Sequence, residues 1–362
     1  MFRGICMHNK AFTGDIEYLQ IIDENGVADQ SLFPKDISDA TIAEMYKKML
    51  FSRMLDAKIL SLQRQGRAVT YAPLIGEEAT QIGSAMAMRK DDIFVPSFRQ
   101  HGVYYARGYP LDLLLLYWKG FEDGAKAPSG LAMLPVIVPV STQMPHAAGI
   151  AFAQRYKNRD VAVVAYVGDG GTSEGDFYES LNFAGVWKAP LVIVIENNQW
   201  AISMPRSKQS AAQTLAQKAI AAGIDAIQVD GNDVVAVYEA TKTAIEHARE
   251  GPTVIECVTY RMSMHTTADD PTKYRSDAEL EIWKKRDPLA RINAYLAAKG
   301  LWNADMQKKA VDEYTSAIDS AVEKAETFRP DPKSIFEHVY SYMPETLKEE
   351  MDEAVSANFW ER

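Results

Sequence analysis

The segment Gly168-Asp169-Gly170-Gly171-Thr172-Ser173-Glu174-Gly175-Asp176 sets an acid among glycines where an apolar run gives way to a helical pattern. Glycines at such a junction let backbone approach a phosphate, and the helix start adds N–H groups and the positive end of a dipole. The dinucleotide fingerprint fails because its third glycine falls on Ser173, and no Gly-Lys-Ser/Thr follows as a phosphate loop requires. Asn197-Asn198 stands at the end of the next apolar run, about one strand–helix–strand excursion later. A carboxylate, an amide oxygen and a backbone carbonyl suit Mg²⁺, a hard ion that completes its shell with diphosphate oxygens and water. Alone, Gly-Asp-Gly is a tight turn and Asn-Asn a loop. Together, each after an apolar strand, they point to a diphosphate–metal site.

Two further groups could act there. Arg99 lies in Phe98-Arg99-Gln100-His101-Gly102, and a guanidinium fork suits a diphosphate, although a lone arginine is as readily a surface residue. Of the six histidines, His8, His247 and His338 read as solvated or capping side chains, and His101 and His146 flank motif loops without an assigned role. His265 follows a strand end and opens an acidic loop. An imidazole there can donate or accept protons near neutral pH.

These groups need a scaffold. Short β-branched runs over residues 161–167, 191–195, 226–229 and 253–260 read as buried parallel strands, each ending in a polar cluster. Helical patterns over 176–187 and 234–249 alternate with them, which predicts a parallel sheet with helices on both faces. Ligands in such folds bind outside the carboxyl ends of the strands. Upstream, Ser38 is the expected N-cap of a helix that reaches residue 65 and closes at Gly66, with further helices over 76–89 and 111–119. Residues 120–142 read as an ordered connecting loop. The expected divisions are an N-terminal arm (1–37) that packs on something else, an α/β domain (38–276), and a helical C-terminal region (277–362) packed on a partner.

The 362 residues are 47% hydrophobic and carry a net charge of −10, with 49 acids against 39 bases. That composition is globular and argues against broad nucleic-acid or anionic-membrane binding. The strongest apolar segment, 111–118, is far short of the ~20 residues needed to span a bilayer, and residues 1–20 lack a signal-peptide pattern. The two cysteines, Cys6 and Cys257, read as reduced thiols of a cytoplasmic protein.

Four motifs in order resemble the alpha subunit of the decarboxylase component of 2-oxo acid dehydrogenase complexes: Gly168-Asp169-Gly170 with Asn197-Asn198; Glu174-Gly175-Asp176-Phe177-Tyr178-Glu179; Asn198-Gln199-Trp200-Ala201-Ile202-Ser203; and the run from His265 to Ser276. The likeness extends from about residue 50 to 301. It implies a thiamine diphosphate-binding fold and Mg²⁺ held by Asp169, Asn198 and the carbonyl of Trp200. It also implies cofactor contacts from Phe98, Arg99, Val138, Val140, Gly168, Gly170, Gly171, Ile202 and His265. In the family, residues at Val138 and Val140 hold the aminopyrimidine and wedge the cofactor into its bent form; by pattern alone these two are core valines. The catalytic group implied is His265. The resemblance further implies that Arg261, Asp269, Tyr274 and Arg275 belong to a loop that receives the lipoyl domain of the acyltransferase component. A beta subunit, in an α₂β₂ assembly, would bring the glutamate that activates the aminopyrimidine.

The sequence departs from the family at three points. No histidine occurs in Phe121-Glu122-Asp123-Gly124-Ala125-Lys126-Ala127, where a second active-site histidine is usual. Thr266 stands where kinase-regulated relatives carry serine, and Phe98 where many carry tyrosine. The stretches Gln228 to Val234 and Thr142 to Pro145 look closer to branched-chain members than to pyruvate members, which makes a branched 2-oxo acid the expected substrate. A pyruvate-specific or acetoin-cleaving enzyme is the alternative, and a non-catalytic diphosphate-binding regulatory subunit is the alternative from another class.

Overall fold

The computed structural model describes residues 12–357. Cys6 and His8 lie outside these residues. The chain order is β1 (Glu17–Leu19), α1 (Asp39–Arg64), α2 (Glu78–Ala87), β2 (Ile93–Val95), α3 (His101–Ala106), α4 (Leu111–Trp118), α5 (Gln143–Tyr156), β3 (Val163–Gly168), α6 (Gly175–Trp187) and β4 (Leu191–Asn197). A two-residue hairpin pair, β5 (Trp200–Ala201) and β6 (Met204–Pro205), and the short α7 (Arg206–Gln209) precede β7 (Asp225–Asp230), α8 (Val234–Glu246) and β8 (Thr253–Val258). Helices α9 (Asp277–Lys284), α10 (Pro288–Ala298), α11 (Ala304–Glu326), α12 (Ser334–Glu337) and α13 (Glu345–Ser356) complete the chain.

Six strands form one parallel sheet in the order β1-β7-β8-β4-β3-β2. The apolar runs are continuous because both faces are covered. In β3, Val164 and Tyr166 join the core under α1, α2, α4 and α8, while Val163, Ala165 and Val167 face α5 and α6. β4 splits the same way, with Val192 and Val194 on one face and Leu191, Ile193 and Ile195 on the other. Successive side chains point to opposite faces, so a strand with two buried faces has no polar alternation to show. Ser38 caps α1, its hydroxyl accepting from the Thr41 N–H at 3.1 Å. Among the described residues no helix is long and apolar enough to cross a membrane.

Two of the expected divisions change. Residues 17–22 do not reach away from the body: β1 pairs with β7, Ile21 and Ile22 are buried, and their N–H groups donate to the Asp233 carboxylate at 2.7 and 2.6 Å. The three-residue edge strand pairs with β7, and just beyond it Asp233 Oδ2 accepts both isoleucine N–H groups while Oδ1 caps α8. The C-terminal helices divide as well. α10 and α11 close the core over α1 and α4 through Ile292, Leu296, Ile318 and Val322, whereas α9, α12 and α13 bury no residue.

Candidate active site

The site lies beyond the carboxyl ends of β3 and β4. Register pairs Gly168 with Glu196, so the turn after β3 and the Asn197-Asn198 step after β4 meet side by side. Residues Gly170–Ser173 form a single 3₁₀ turn that leads into α6. A side chain at Gly171 would place its Cβ 2.5 Å from Val167 Cγ2, and one at Gly170 would stand 2.9 Å from Ala201 Cβ. Both glycines are therefore required by close approach of their neighbours.

A cleft of about 430 Å³ opens there, and every residue expected to contact the cofactor, from Phe98 to His265, lines it. Asp169 is 2% exposed, burial pushes its carboxyl up to about 6, and its Oδ2 has no hydrogen-bond partner. Such an acceptor costs about 1–3 kcal/mol unless a donor or cation meets it. Asn198 Oδ1 accepts from the Trp200 N–H at 3.2 Å, and its Nδ2 donates to Glu77 Oε1 at 2.9 Å. The Trp200 carbonyl accepts from Arg261 Nη1 at 3.0 Å. One orphaned carboxylate, one amide oxygen and one carbonyl form a donor set that could hold a hard divalent cation.

Arg99 is 5% exposed and fixed from three sides. Its Nη1 donates to the Pro73 carbonyl at 2.5 Å, its Nη2 reaches His265, and its Nε lies 3.7 Å from Glu77 Oε1. Glu77 and Glu196 both line the cleft and are fully or nearly fully buried. Burial raises both carboxyls, and the charge of Glu196 raises Glu77 further, so the pair retains a proton toward neutral pH. Gln100 donates to Glu196 and Gln81 to the Arg99 carbonyl at 3.1 Å, which holds the 97–102 loop against the sheet. Glu77, Gln100, Ser141, Gln143, Glu174, Glu196 and Gln209 also line the cleft. None was expected as a contact: Gln100, Gln143 and Glu174 sit inside stretches singled out for other residues, and the rest become neighbours only when the loops converge.

Val138 and Val140 are 57% and 51% exposed, against the core placement their type suggests. With Ile202, at 58%, they leave the open side of the cleft apolar. Ile202 adopts φ +54, a left-handed backbone that a β-branched side chain rarely takes, and its carbonyl accepts from Arg261 Nη2 at 2.7 Å.

The four loop residues face inward. Arg261 is fully buried on the carbonyls of Trp200 and Ile202 and the Tyr274 hydroxyl, so it offers no surface to a partner. Asp269 accepts from the His265 N–H at 2.8 Å and from Tyr274. Arg275 donates to the carbonyls of Arg261, Ser263 and Met262 at 2.6, 3.1 and 3.2 Å. Together they build the seat of His265, and the outward face of the loop is left to Ala268, Asp270, Thr272 and Lys273. His101 is buried against Tyr71 and Trp118, and His146 turns to the Thr142 carbonyl on the outside of α5; neither lines the cleft.

The stretch Gln228 to Val234 takes no part in the cleft. Gln228 donates to Glu256, Asp230 accepts from Arg291 and Gln20, and Asp233 caps α8 while holding Ile21 and Ile22. Its text reflects how the sheet edge is tied to the N-terminal strand and α10, so it says nothing about a substrate pocket.

Known proteins resemble this chain in sequence. The sequence profile of the Dehydrogenase E1 component family matches residues 46–333. The chain is 44% identical to the pyruvate dehydrogenase E1 component subunit alpha of Staphylococcus aureus over 341 residues, which is 93% of this chain and 92% of that one. The protein of the same description from Staphylococcus epidermidis matches with equal identity and coverage.

Proposed function

The chain belongs to the dehydrogenase E1 component family as an alpha-type, thiamine-dependent 2-oxo acid dehydrogenase subunit, and from that membership we propose that it decarboxylates pyruvate and passes the acyl group to a lipoyl carrier. The observation that carries the site is the orphaned Asp169 carboxylate beside the glycine turn and Asn198. We assign Asp169, Asn198 and the Trp200 carbonyl to Mg²⁺, and Arg99 with the Gly170 and Gly171 N–H groups to the diphosphate. When bound, thiamine diphosphate supplies the electron sink that a 2-oxo acid needs to lose carbon dioxide.

The chain's own residues bind, orient and exclude. Buried Arg99 is aimed before any ligand arrives, so little reorganisation is needed. Val138, Val140 and Ile202 shield the reacting region from water once the open side is covered. His265 presents a proton held on its ring, and Arg261, Asp269 and Tyr274 set the ring's position. The half-exposed apolar rim calls for a cover, and a beta subunit in an α₂β₂ assembly is the partner that fits, bringing the glutamate that activates the aminopyrimidine. We place α12 and α13, which bury nothing in this chain, among the partner contacts. The lipoyl-bearing acyltransferase component would approach over residues 266–273.

Pyruvate is preferred to the branched-chain reading because the similar relatives bear that name and because, of the two stretches that look branched-chain, residues 228–234 stand outside the cleft and only Gln143 of 142–145 lines it. One observation favours branched substrates as a second reading: a largely apolar cavity of about 360 Å³, lined by Val69, Tyr117, Trp118 and Phe121, adjoins the cleft, and Phe98, Val138 and Thr266 line both. Decarboxylation by the assembled alpha–beta enzyme, with pyruvate and with 4-methyl-2-oxopentanoate, decides between them. A methylene is worth about 1–3 kcal/mol in an apolar pocket, so the preference should be partial. A higher kcat/KM for pyruvate supports the first reading, and a higher value for the branched acid overturns it.

A further inference from the structure

We propose that Lys218 is a positioning residue for the diphosphate turn, acting through a hydrogen-bond relay from its ammonium to Thr172 and on to the Asp169 carbonyl. The proposal rests on the thiamine diphosphate reading of the site and extends it to a residue outside the cleft. Lys218 lies on the 3₁₀ segment Ala216–Ala222 and is only 8% exposed. Its Nζ donates to the Thr172 carbonyl at 2.7 Å and to Thr172 Oγ1 at 2.9 Å, and sits 5.2 Å from the Tyr178 ring centre. No carboxylate pairs with it among the described residues. A buried ammonium without a counter-ion is costly, and it persists only where the surroundings make use of it.

The relay shows that use. Thr172 Oγ1, accepting from Lys218, donates in turn to the Asp169 carbonyl at 2.7 Å. In a trans peptide the C=O and N–H point in opposite directions. Drawing the Asp169 carbonyl back toward Thr172 therefore turns the Gly170 N–H the other way, and Gly170 lines the cleft. The same pull fixes the backbone that carries the Asp169 side chain. The segment bearing Lys218 is itself anchored to the second half of the site. Its leading N–H groups, of Leu215 and Ala216, donate to Glu256 Oε2 at 2.8 and 3.0 Å, while Glu256 Oε1 accepts from Asn197 Nδ2 at 2.7 Å. One short segment thus sets the ends of β3 and β4 relative to each other, and the positive charge behind the turn favours an anion in front of it.

The test is calorimetric titration of thiamine diphosphate with Mg²⁺ into the alpha–beta assembly. Lys218→Met should weaken binding by about tenfold or more, the scale of one charge-assisted hydrogen bond. Lys218→Arg, which restores the charge, should recover most of the loss. Thr172→Val, which keeps the lysine and breaks the relay, should weaken binding, and Thr172→Ser should not. This second pair decides the matter if Lys218→Met fails to fold. Wild-type affinity in Lys218→Met or in Thr172→Val overturns the proposal, as does Lys218→Arg binding no better than Lys218→Met. A wild-type assembly that binds no thiamine diphosphate overturns the functional reading itself, an outcome distinct from these.

Discussion

Arg99 Nη2 lies 3.1 Å from both the Nδ1 atom and the carbonyl oxygen of His265. A guanidinium only donates, so Nδ1 accepts and the ring proton is assigned to Nε2. Burial, then the charges of Arg99 and Arg261, push the imidazole down to about 3. His265 is therefore a neutral donor across the physiological range. It is held ready to give a hydrogen bond to an anionic or developing oxygen.

That assignment separates two steps. His265→Ala should slow acyl transfer to a lipoyl domain by about 10²–10⁴-fold, the usual worth of a positioned acid or base, and should lower thiamine diphosphate affinity much less. Single-turnover acylation and calorimetry on the same assembly measure the two effects. Equal losses in both would mean that His265 is chiefly a cofactor ligand.

Ile202 stores strain. A non-glycine residue in the left-handed region costs roughly 1–3 kcal/mol, and Ile202 recovers little by burial because it is 58% exposed. Ile202→Gly should raise stability to denaturant by about 1 kcal/mol while weakening cofactor binding. An unfolding midpoint that falls would show that the left-handed backbone is not strained here.

Asp56 and His101 have opposing pH dependences beneath Tyr71. Burial raises the Asp56 carboxyl to about 7, and lowers the His101 imidazole to about 3. Asp56 binds its proton more tightly when folded, so its contribution is full below pH ~4 and is lost as pH rises to 7. His101 resists protonation when folded, so its contribution is full above pH ~6.5 and is lost as pH falls toward 3. The two slopes offset each other between pH ~4 and 6.5. Asp56→Asn removes one of them. Relative to wild type, the variant should lose about 1.4 kcal/mol of stability for each pH unit between 7 and ~4, and no more below that, read from denaturant unfolding at several pH values. Parallel curves for the two proteins would place the Asp56 titration elsewhere.

The strands β3 and β4 were legible because residues buried on both faces leave unbroken apolar runs, and β7 and β8, interrupted by Gln228 and Glu256, because short β-branched stretches end in polar clusters. β1 and β2 were not, since three residues carry no period and their pairing is set by the sheet they join. α5 escaped notice for a related reason: its buried face is made largely of the small Ala147, Ala148 and Ala151, while Phe152 and Tyr156 point outward, which blurs the helical period. In the site, the Asp169–Asn198 pair could be read because strand ends converge by rule in a parallel sheet. Val138 and Val140 misled by type, since an apolar side chain at an open rim looks like core until its surroundings are seen. Arg261 is the converse: charged and near an acidic loop, it reads as surface, yet the carbonyls of Trp200 and Ile202 bury it.

The central claim is that this chain supplies the metal–diphosphate half of a two-chain 2-oxo acid decarboxylase. The most direct measurement is carbon dioxide release from a 2-oxo acid by the chain alone, by the chain with its beta subunit, and by that pair carrying Asp169→Asn, each with thiamine diphosphate and Mg²⁺. Release only from the unsubstituted pair is the predicted result, with Asp169→Asn near background. Release by the chain alone, or undiminished release from the Asp169→Asn pair, would contradict the account.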